Sequence, residues 1–164
     1  FANPAAGIKP AYRAANLGLA LATAEHLGLA AEPALQAMLA MPRDDYDFRV
    51  VQHAGAELAM AFSVNDIAST RALFESLQWT EHETRLVYNH RADRPARLQS
   101  FMGWLNDSAW REVLIIGDRP LRRTGKAGYR KIRDKAELLA LLQPGERFFG
   151  CGNIAGLPMT LVPA

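Results

Sequence analysis

The sequence contains one cysteine, Cys151, in 164 residues, so no disulfide can form within the chain and nothing points to an oxidising compartment. No apolar run approaches the ~20 residues that cross a bilayer, and no basic-then-apolar signal segment precedes the first helical pattern. The formal net charge of +2 is too small to indicate a polyanionic partner by itself. The hydrophobic content of 49% is enough to fill the core of one domain with an appendage.

Familiar nucleotide and metal motifs are also missing from the sequence. Gly125-Lys126 is not a phosphate-binding P-loop, because Ala127 follows the lysine and no glycine stands five residues before it. The stretch GCGNIAG, residues 150–156, departs from the dinucleotide fingerprint because its third glycine comes one residue late and Pro158 prevents a following helix. The histidines have no metal-ligand spacing; they are His26, His53, His82 and His90.

The apolar pattern changes at the polar stretch PRDDYD, residues 42–47, which we interpret as a boundary. Before it, residues 11–28 and 30–41 have apolar side chains at helical spacing, and Gly28 stands where a helix C-cap is expected. The side chains predicted to face inward from these helices are Leu17, Leu21, Ala24, Leu27, Leu35, Met38 and Leu39. Residues 1–10 carry Pro, Gly and Asn and are predicted to be irregular.

After the boundary, strand patterns alternate with helical patterns of about 9 to 13 residues, which is typical of βαβ units. The sequence therefore predicts an α/β fold with a Rossmann-like, mostly parallel mixed sheet and flanking helices. A turn at Ala54-Gly55 predicts a hairpin that makes one edge of the sheet antiparallel. Two strands are predicted within residues 48–64 and others at 83–91, 111–118, 146–152 and 158–162, with helices at 67–77, 94–107 and 135–142.

Four polar stretches follow predicted strands, at the edge where open α/β sheets bind ligands. They are Asn65-Asp66, the segment 89–94, Gly117-Asp118 and the turn 150–156. Asn65 and Asp66 are both suited to capping a helix, to contacting a ligand, or to both, and Asp93 is suited to capping the helix that Pro95 helps to start. The glycine-rich turn allows close approach of a ligand or of a neighbouring segment.

Basic residues occur in two of these stretches. Arg91, Arg94 and Arg97 lie either in solvent or at a site for carboxylate or phosphate, which the guanidinium group binds in a bidentate manner. The segment after Asp118 is either a mobile solvated loop or a surface for nucleic acid or another polyanion. The basic residues that would form such a polyanion surface are Arg122, Arg123, Lys126, Arg130, Lys131 and Arg133.

Three of these stretches resemble one family. FSVNDIAST, NHRADRPARLQSF and GCGNIAG are similar to the patterns F-A-A-N-D-P-x-S-T, N-C-R-x-D-R-x-x-R-x-x-Q and G-x-G-N-x-x-G of the ligase subunit of bacterial poly-γ-glutamate synthase, a branch of the Mur ligase superfamily. AYRAANLGLALATAEHLGL resembles the helix that closes its ATP-binding domain. Ile67 replaces the usual proline and His90 the usual cysteine.

This resemblance implies a domain organisation and a reaction. Residues 1–45 would be the helical tail of the ATP-binding central domain, and residues 46–164 the C-terminal α/β ligase domain. The full enzyme would use ATP and Mg²⁺ to phosphorylate a carboxylate, which a glutamate amine then attacks to form an amide. Because the chain starts at Phe1 and has no P-loop, we expect it to be a piece of something longer whose other domains supply the metal ligands.

The resemblance also assigns roles to residues. It implies that Asn16 lies near the nucleotide base and that Asn65 and Asp66 face ATP and the incoming amino acid. It implies a catalytic role for Arg91, Asp93 and Arg94 in neutralising phosphate or carboxylate charge. Gly152, Asn153 and Arg97 would line the substrate side of the same cleft.

The implied partners are glutamate, the growing poly-γ-glutamate chain and membrane subunits of a synthase complex, at the inner face of the cytoplasmic membrane. No nucleic acid is expected, and self-association through uncovered apolar surface is left open. Two alternatives also stay open. One is another Mur-superfamily ligase that adds glutamate or another amino acid to a different acceptor, and the other is a non-catalytic polyanion-binding module.

Overall fold

The computed structural model describes residues 11–42 and 44–161, with side chains from Ala14 onward. The chain divides between Asp44 and Asp45 into two compact units. The first contains two helices in contact, α1 (Ala11–His26) and α2 (Ala31–Ala40). The predicted irregular segment 1–10 lies outside the described residues. None of the described helices combines the length and apolarity required to cross a membrane.

The predicted C-cap of α1 is present. Gly28 has φ +81°, its N–H donates to Glu25 O at 2.9 Å, and the N–H of Leu29 donates to Ala24 O at 2.9 Å. This is the Schellman arrangement, which needs a left-handed residue and so favours glycine. Two inward-facing predictions are wrong: Leu27 is 71% exposed and Leu39 is 53% exposed. Leu27 lies beyond the last residue of α1, where helical periodicity no longer sets the direction of the side chain.

The second unit is a six-stranded sheet in the order β1-β2-β6-β3-β4-β5. All neighbouring strands are parallel except the β1–β2 hairpin, which confirms the mostly parallel mixed sheet. The strands are β1 (Arg49–His53), β2 (Ala56–Met60), β3 (Thr84–His90), β4 (Glu112–Gly117), β5 (Gly128–Tyr129) and β6 (Arg147–Gly152). The helices are α3 (Ile67–Ser76), α4 (Pro95–Asp107) and α5 (Lys135–Leu139), with short 3₁₀ turns at Glu81–Glu83 and Leu157–Leu161.

The hairpin forms at the predicted position. Ala54 and Gly55 have φ of 49° and 82°, and His53 is paired with Ala56, so the connection has two residues. Positive φ at both central positions is the signature of a type I′ turn, whose twist matches that of the strands it joins.

Helices cover both faces of the sheet, as two consecutive residues of β6 show. The Phe149 ring lies 5.2 Å from that of Phe74 in α3 and 6.1 Å from that of Trp104 in α4. Phe148 faces the other side and belongs to a buried cluster with Leu138 of α5. Alternate strand residues point to opposite faces, so an uninterrupted apolar strand is expected where both faces are buried.

One predicted strand is absent from the structure, and one strand of the structure was not predicted. The strand expected at residues 158–162 is instead the 3₁₀ turn Leu157–Leu161. Pro158 has no N–H to donate to a sheet, and Leu161 packs into the buried cluster that contains Leu138 of α5. Strand β5 was not predicted, because its two residues are too short to produce a periodic pattern.

Candidate functional site

The polar stretches predicted from the sequence lie at one edge of the sheet. Strands β2, β6, β3 and β4 are neighbours in that order and run parallel, so their carboxyl ends meet at the same edge. The residues that leave these ends are Asn65-Asp66, Gly152-Asn153, Arg91–Arg94 and Gly117-Asp118. Segments separated by up to about 90 residues in sequence therefore form one polar rim, the position at which open α/β sheets bind ligands.

Asn89 and Asn153 join the ends of β3 and β6. The Asn89 Nδ2 donates to the main-chain oxygens of Asn153 at 2.7 Å and Ala155 at 2.9 Å. The Asn153 Nδ2 donates to Asn89 O at 3.2 Å. The two residues are 2% and 3% exposed, so these bonds replace water and fix the glycine-rich turn.

Arg97 connects α4 to the same turn. Its Nη1 donates to the Asn153 Oδ1 at 2.6 Å and to Gly152 O at 3.2 Å. The structure thus brings together the three residues for which substrate contacts are predicted. The Asn153 amide is buried and bonded through both its oxygen and its nitrogen, whereas Arg97 is only partly buried, so the remaining donors of Arg97 are the groups better placed to reach a ligand. The predicted substrate role of these residues stays a prediction.

Gly152 is required by this arrangement. Its φ is +99°, and a Cβ at this position would lie 2.6 Å from Asn89 O. Any other residue would strain the backbone and separate β6 from β3 at the point where they close the rim.

The arginines after β3 differ in their surroundings. Arg91 forms a bidentate pair with Asp93, with Nε to Oδ1 at 3.0 Å and Nη2 to Oδ2 at 2.7 Å. The hydrogen bonds from Arg91 lower the pKa of Asp93. The exposed side chain of Arg94 has no ion-pair partner among the described residues. Arg94 is therefore the arginine of this segment that is not held in an ion pair, although its charge also contributes to lowering the pKa of Asp93.

The prediction that Asp93 caps α4 is wrong. The N-cap position of α4 is Arg94, which makes no side-chain capping bond, and Pro95 follows it. The Asp93 carboxylate is occupied by Arg91 instead. Proline at the first helical position removes one N–H that would need a partner, so the helix begins without a carboxylate cap.

Asp118 ties the β3 and β4 loops together. Its Oδ2 accepts from the N–H of Ala92 at 2.7 Å, and its own N–H donates to His90 O at 3.0 Å. The Asp118 carboxylate is thus engaged in holding the arginine segment. His90, which precedes that segment, is 5% exposed, and its burial lowers the pKa of the imidazole against the opposing effect of Asp118 and Asp93.

Asp66 caps α3, as one of its two readings predicts. Its Oδ1 accepts from the N–H of Ser69 at 2.8 Å, and this bond lowers the pKa of the carboxyl. The prediction that Asn65 also caps α3 is wrong: Asp66 alone holds the N-cap position, and exposed Asn65 makes no side-chain hydrogen bond within the part of the chain that the structure describes. The amide of Asn65 and the second oxygen of Asp66 are the groups that this strand end offers to a ligand.

Two further predictions concern the nucleotide and the metal. Asn16 is an exposed residue of α1 in the first unit, and its contact with a nucleotide stays a prediction. No group of three or more His, Cys, Asp or Glu side chains suited to a metal ion occurs among residues 11–42 and 44–161. That the magnesium ligands come from outside this chain also stays a prediction.

Sequence reasoning gave no role to Asn89. The available signal was an amide residue at the end of the otherwise apolar strand β3, LVYN. A polar side chain at a fully buried strand position must find partners, so it indicates a specific tertiary contact. Its partners, 64 and 66 residues away, could not be read from the sequence.

Solved structures place this fold in a known class. The chain is similar to MurF from Acinetobacter baumannii, with 16% identity, a TM-score of 0.57 and coverage of 87% of this chain and 34% of MurF. It is also similar to folylpolyglutamate synthase from Thermotoga maritima, with 17% identity, a TM-score of 0.51 and coverage of 90% and 37%. The fold is that of the C-terminal part of Mur-type ligases, and the chain spans about a third of the length of these enzymes.

The family is defined by sequence. Residues 46–164 match the family described as the poly-gamma-glutamate synthase CapB C-terminal domain. The chain belongs to this family, as the motifs at the strand ends indicate. Comparison with curated protein sequences gave no match.

Proposed function

We propose that this chain is the C-terminal part of an ATP-dependent amide ligase that extends poly-γ-glutamate. In this reaction a carboxylate of the acceptor takes a phosphoryl group from ATP, the amine of glutamate attacks the acyl phosphate, and phosphate leaves as the amide forms. The proposal is supported by membership of the CapB C-terminal domain family and by the Mur-type fold. The P-loop and the Mg²⁺ ligands would come from other domains of a longer protein.

The observation that carries the proposal is the convergence of the family motifs on neighbouring strand ends. The Asn65-Asp66, Arg91–Arg94 and Gly152-Asn153 segments follow β2, β3 and β6, and β6 lies between the other two. Negative charge develops on the phosphate and on the tetrahedral intermediate of amide formation. The guanidinium of Arg94, which forms no ion pair with the described residues, is suited to stabilise that charge, whereas Arg91 must first be released from Asp93.

The residues at the end of β2 fit a different part of ATP or of the amino acid. The Asp66 carboxylate is negatively charged, so it would repel a phosphate. It also occupies the N-terminus of α3, where a phosphate could otherwise bind. It fits the ribose hydroxyls or the ammonium group of the incoming glutamate. When bound, ATP supplies the phosphoryl group that activates the carboxylate, while Asn65 and Asp66 would orient the molecule and Arg94 would balance its charge.

The test is an assay of a longer protein that contains this chain. We expect ADP release that depends on glutamate, with a γ-linked acceptor extended by glutamate residues in mass spectra. The 164-residue chain alone is expected to show no ATP turnover. Incorporation of a different amino acid, or use of an acceptor without glutamate, would indicate another ligase of the superfamily. Glutamate-dependent ATP turnover by the chain alone would contradict the assignment of the phosphate and metal sites to other domains.

The location and partners are part of the same proposal. We propose that membrane subunits hold the ligase at the inner face of the cytoplasmic membrane, where the polymer is passed on. Cofractionation of the longer protein with membranes only when those subunits are expressed would support this arrangement.

A further inference from the structure

A cleft lies beside the polar rim, between the first half of α4 and the segment that follows β4. Its volume is about 400 Å³, which is within the range of about 300 to 1,000 Å³ typical of small-molecule sites. One wall is formed by Pro95, Ala96, Gln99 and Met102 of α4. The opposite wall is formed by residues 120–124, which include Leu121, Arg122 and Arg123.

The basic segment, residues 119–131, brings uncompensated charge to this cleft. Its basic side chains have no ion-pair partner among the described residues; they are Arg119, Arg122, Arg123, Lys126, Arg130 and Lys131. The acidic residues on either side are already engaged, since Asp118 accepts from Ala92 and Asp134 caps α5 through the N–H of Glu137. Arg133, which lies just beyond the segment, is paired with Glu137 at 3.0 Å.

The basic segment is anchored to the fold. The N–H of Lys126 donates to the Asn106 Oδ1 of α4 at 2.7 Å, and the N–H of Arg130 donates to Ile115 O of β4 at 2.8 Å. Between them, strand β5 pairs with β4. The loop that carries Arg122 and Arg123 is thus fixed at both ends, by the bond from the Asp118 N–H to His90 O and by that from the Lys126 N–H to Asn106, which limits the backbone entropy lost when an anion binds.

A buried group also faces the cleft. His90 forms part of the cleft lining, yet it is 5% exposed and its Nδ1 has no hydrogen-bond partner among the described residues. An orphaned buried nitrogen is costly, so His90 is a residue of the lining whose hydrogen-bonding capacity the described residues leave unused.

We propose that the cleft and the basic segment bind the growing γ-linked glutamate chain, at a site next to the reaction centre. Each γ-linked residue contributes one free carboxylate and two methylene groups to the chain. The apolar wall of α4 fits the methylene groups, and Arg122 and Arg123 fit the carboxylates. This inference rests on the proposed function, because it names the polymer that the ligase extends and gives it a place to bind.

The composition of the cleft favours this polymer over nucleic acid. Sites for single-stranded nucleic acid combine positive charge with Phe, Tyr or Trp side chains on which bases stack. None of the residues lining the cleft is Phe, Tyr or Trp. A chain of carboxylates on a flexible aliphatic backbone needs charge and apolar surface but no stacking platform.

The test uses the 164-residue chain and a fluorescent γ-linked glutamate decamer, with binding measured by fluorescence anisotropy at low and high salt. We expect saturable binding that weakens with salt, since exposed charge pairs are screened. Arg122→Ala and Arg123→Ala should each weaken binding by up to about fivefold in Kd. An exposed ion pair contributes at most about 1 kcal/mol, which corresponds to that factor. Arg71→Ala, which removes an exposed charge from α3, is the matched control and should leave binding unchanged.

A second pair of variants tests the α4 wall of the cleft. Gln99→Glu places a negative charge in the lining and should weaken decamer binding. Ser100→Glu changes the net charge of the chain by the same amount, but at a neighbouring position outside the lining, and should weaken binding less. Thermal melts confirm that both variants fold. Equal loss in both variants, or no loss in either, would show that the decamer does not occupy the cleft.

Competitors distinguish this site from a general polyanion surface. An α-linked glutamate decamer and single-stranded DNA of equal charge should bind more weakly than the γ-linked decamer. Equal or tighter binding of either competitor would overturn the proposal. The outcome is separable from that of the proposed function: a longer protein that adds glutamate while this chain ignores the decamer refutes only the polymer site. Decamer binding in the absence of ligase activity would refute only the reaction.

Discussion

Asn89 and Asn153 donate their side-chain amides to each other's main-chain oxygens, at 2.7 and 3.2 Å, although 64 residues separate them. The pair closes the carboxyl ends of β3 and β6, and Arg97 extends it to α4 through the Asn153 Oδ1. The second and third family motifs are therefore one hydrogen-bonded unit. This explains why an amide at both positions, rather than another polar residue, satisfies the donors and acceptors that meet there.

Asn89→Ala should destabilise the second unit. The substitution leaves the main-chain oxygens of Asn153 and Ala155 without their donor in a buried position, at a cost of about 2 to 4 kcal/mol. Urea unfolding followed by tryptophan fluorescence reports on this unit, because Trp79, Trp104 and Trp110 all lie within it. Asn65→Ala, at an exposed position, is the control and should change stability by less than about 0.5 kcal/mol. Similar stability of the two variants would show that the pair contributes little.

Asp66→Ala should lower stability by about 1 kcal/mol through loss of the α3 cap, whereas Asp66→Asn keeps the capping oxygen and should cost far less. The pKa of Asp66 is lowered in the folded state, so its contribution is present above pH 4 and is lost as the pH falls through the folded pKa. Unfolding of both variants at pH 7 checks the first statement.

The same two variants separate capping from ligand contact. If Asp66 also orients the substrate, the longer enzyme with Asp66→Asn should lose activity while remaining stable. If the residue serves only as a cap, activity should follow stability in both variants, and the nucleotide role assigned by resemblance would be wrong.

Much of the fold could be predicted because its information is local. Apolar alternation and helical spacing identified the helices and all strands except β5, and Gly28 and the Ala54-Gly55 turn were recognisable from backbone chemistry. The partners at the rim could not be predicted in the same way. Whether Asp93 caps a helix or pairs with Arg91 depends on competing local contacts of similar energy, and the structure shows the second.

The pairing of strands that lie far apart in the sequence was the other feature that could not be predicted. The order β2-β6-β3 places Asn153 beside Asn89, and the β5 pairing turns a basic stretch into one wall of a cleft. The first of these consequences follows from the crossover between β5 and β6, which returns the chain to the middle of the sheet. No periodicity in the sequence encodes that return.

His90 should make stability depend on pH between about 7.5 and 5.5. Its folded pKa is lowered by burial, so the unfolded chain binds more protons in this range and stability falls as the pH drops below the ordinary value near 6.5. The loss is at most about 1.4 kcal/mol per pH unit for one group. Urea unfolding at pH 7.5 and 5.5 should show a smaller decrease for His90→Gln than for the unchanged chain. Parallel decreases would mean that His90 remains free to protonate in the folded state.

Arg94→Ala in the longer enzyme should reduce glutamate-dependent ADP release severely. Loss of a charge-assisted contact in a partly desolvated site costs about 2 to 4 kcal/mol, or roughly 30-fold to 1,000-fold in rate. Arg94 is exposed and does not cap α4 with its side chain, so the substitution should leave the thermal melt unchanged. Arg94→Lys should restore little, because lysine keeps the charge but lacks the planar fork.

Two comparisons decide whether Arg94 has this role. Arg91→Ala should also reduce activity. In addition it should raise the pKa of Asp93, because the hydrogen bonds and charge of Arg91 hold that pKa low. Arg122→Ala should act differently, since a residue that binds the polymer raises the KM for the acceptor and leaves kcat nearly unchanged. If Arg94→Ala retains normal kcat while Arg122→Ala loses it, charge stabilisation occurs at the basic segment and not at the end of β3. The reaction centre would then lie in the cleft, and the roles assigned to the two groups of arginines would have to be exchanged.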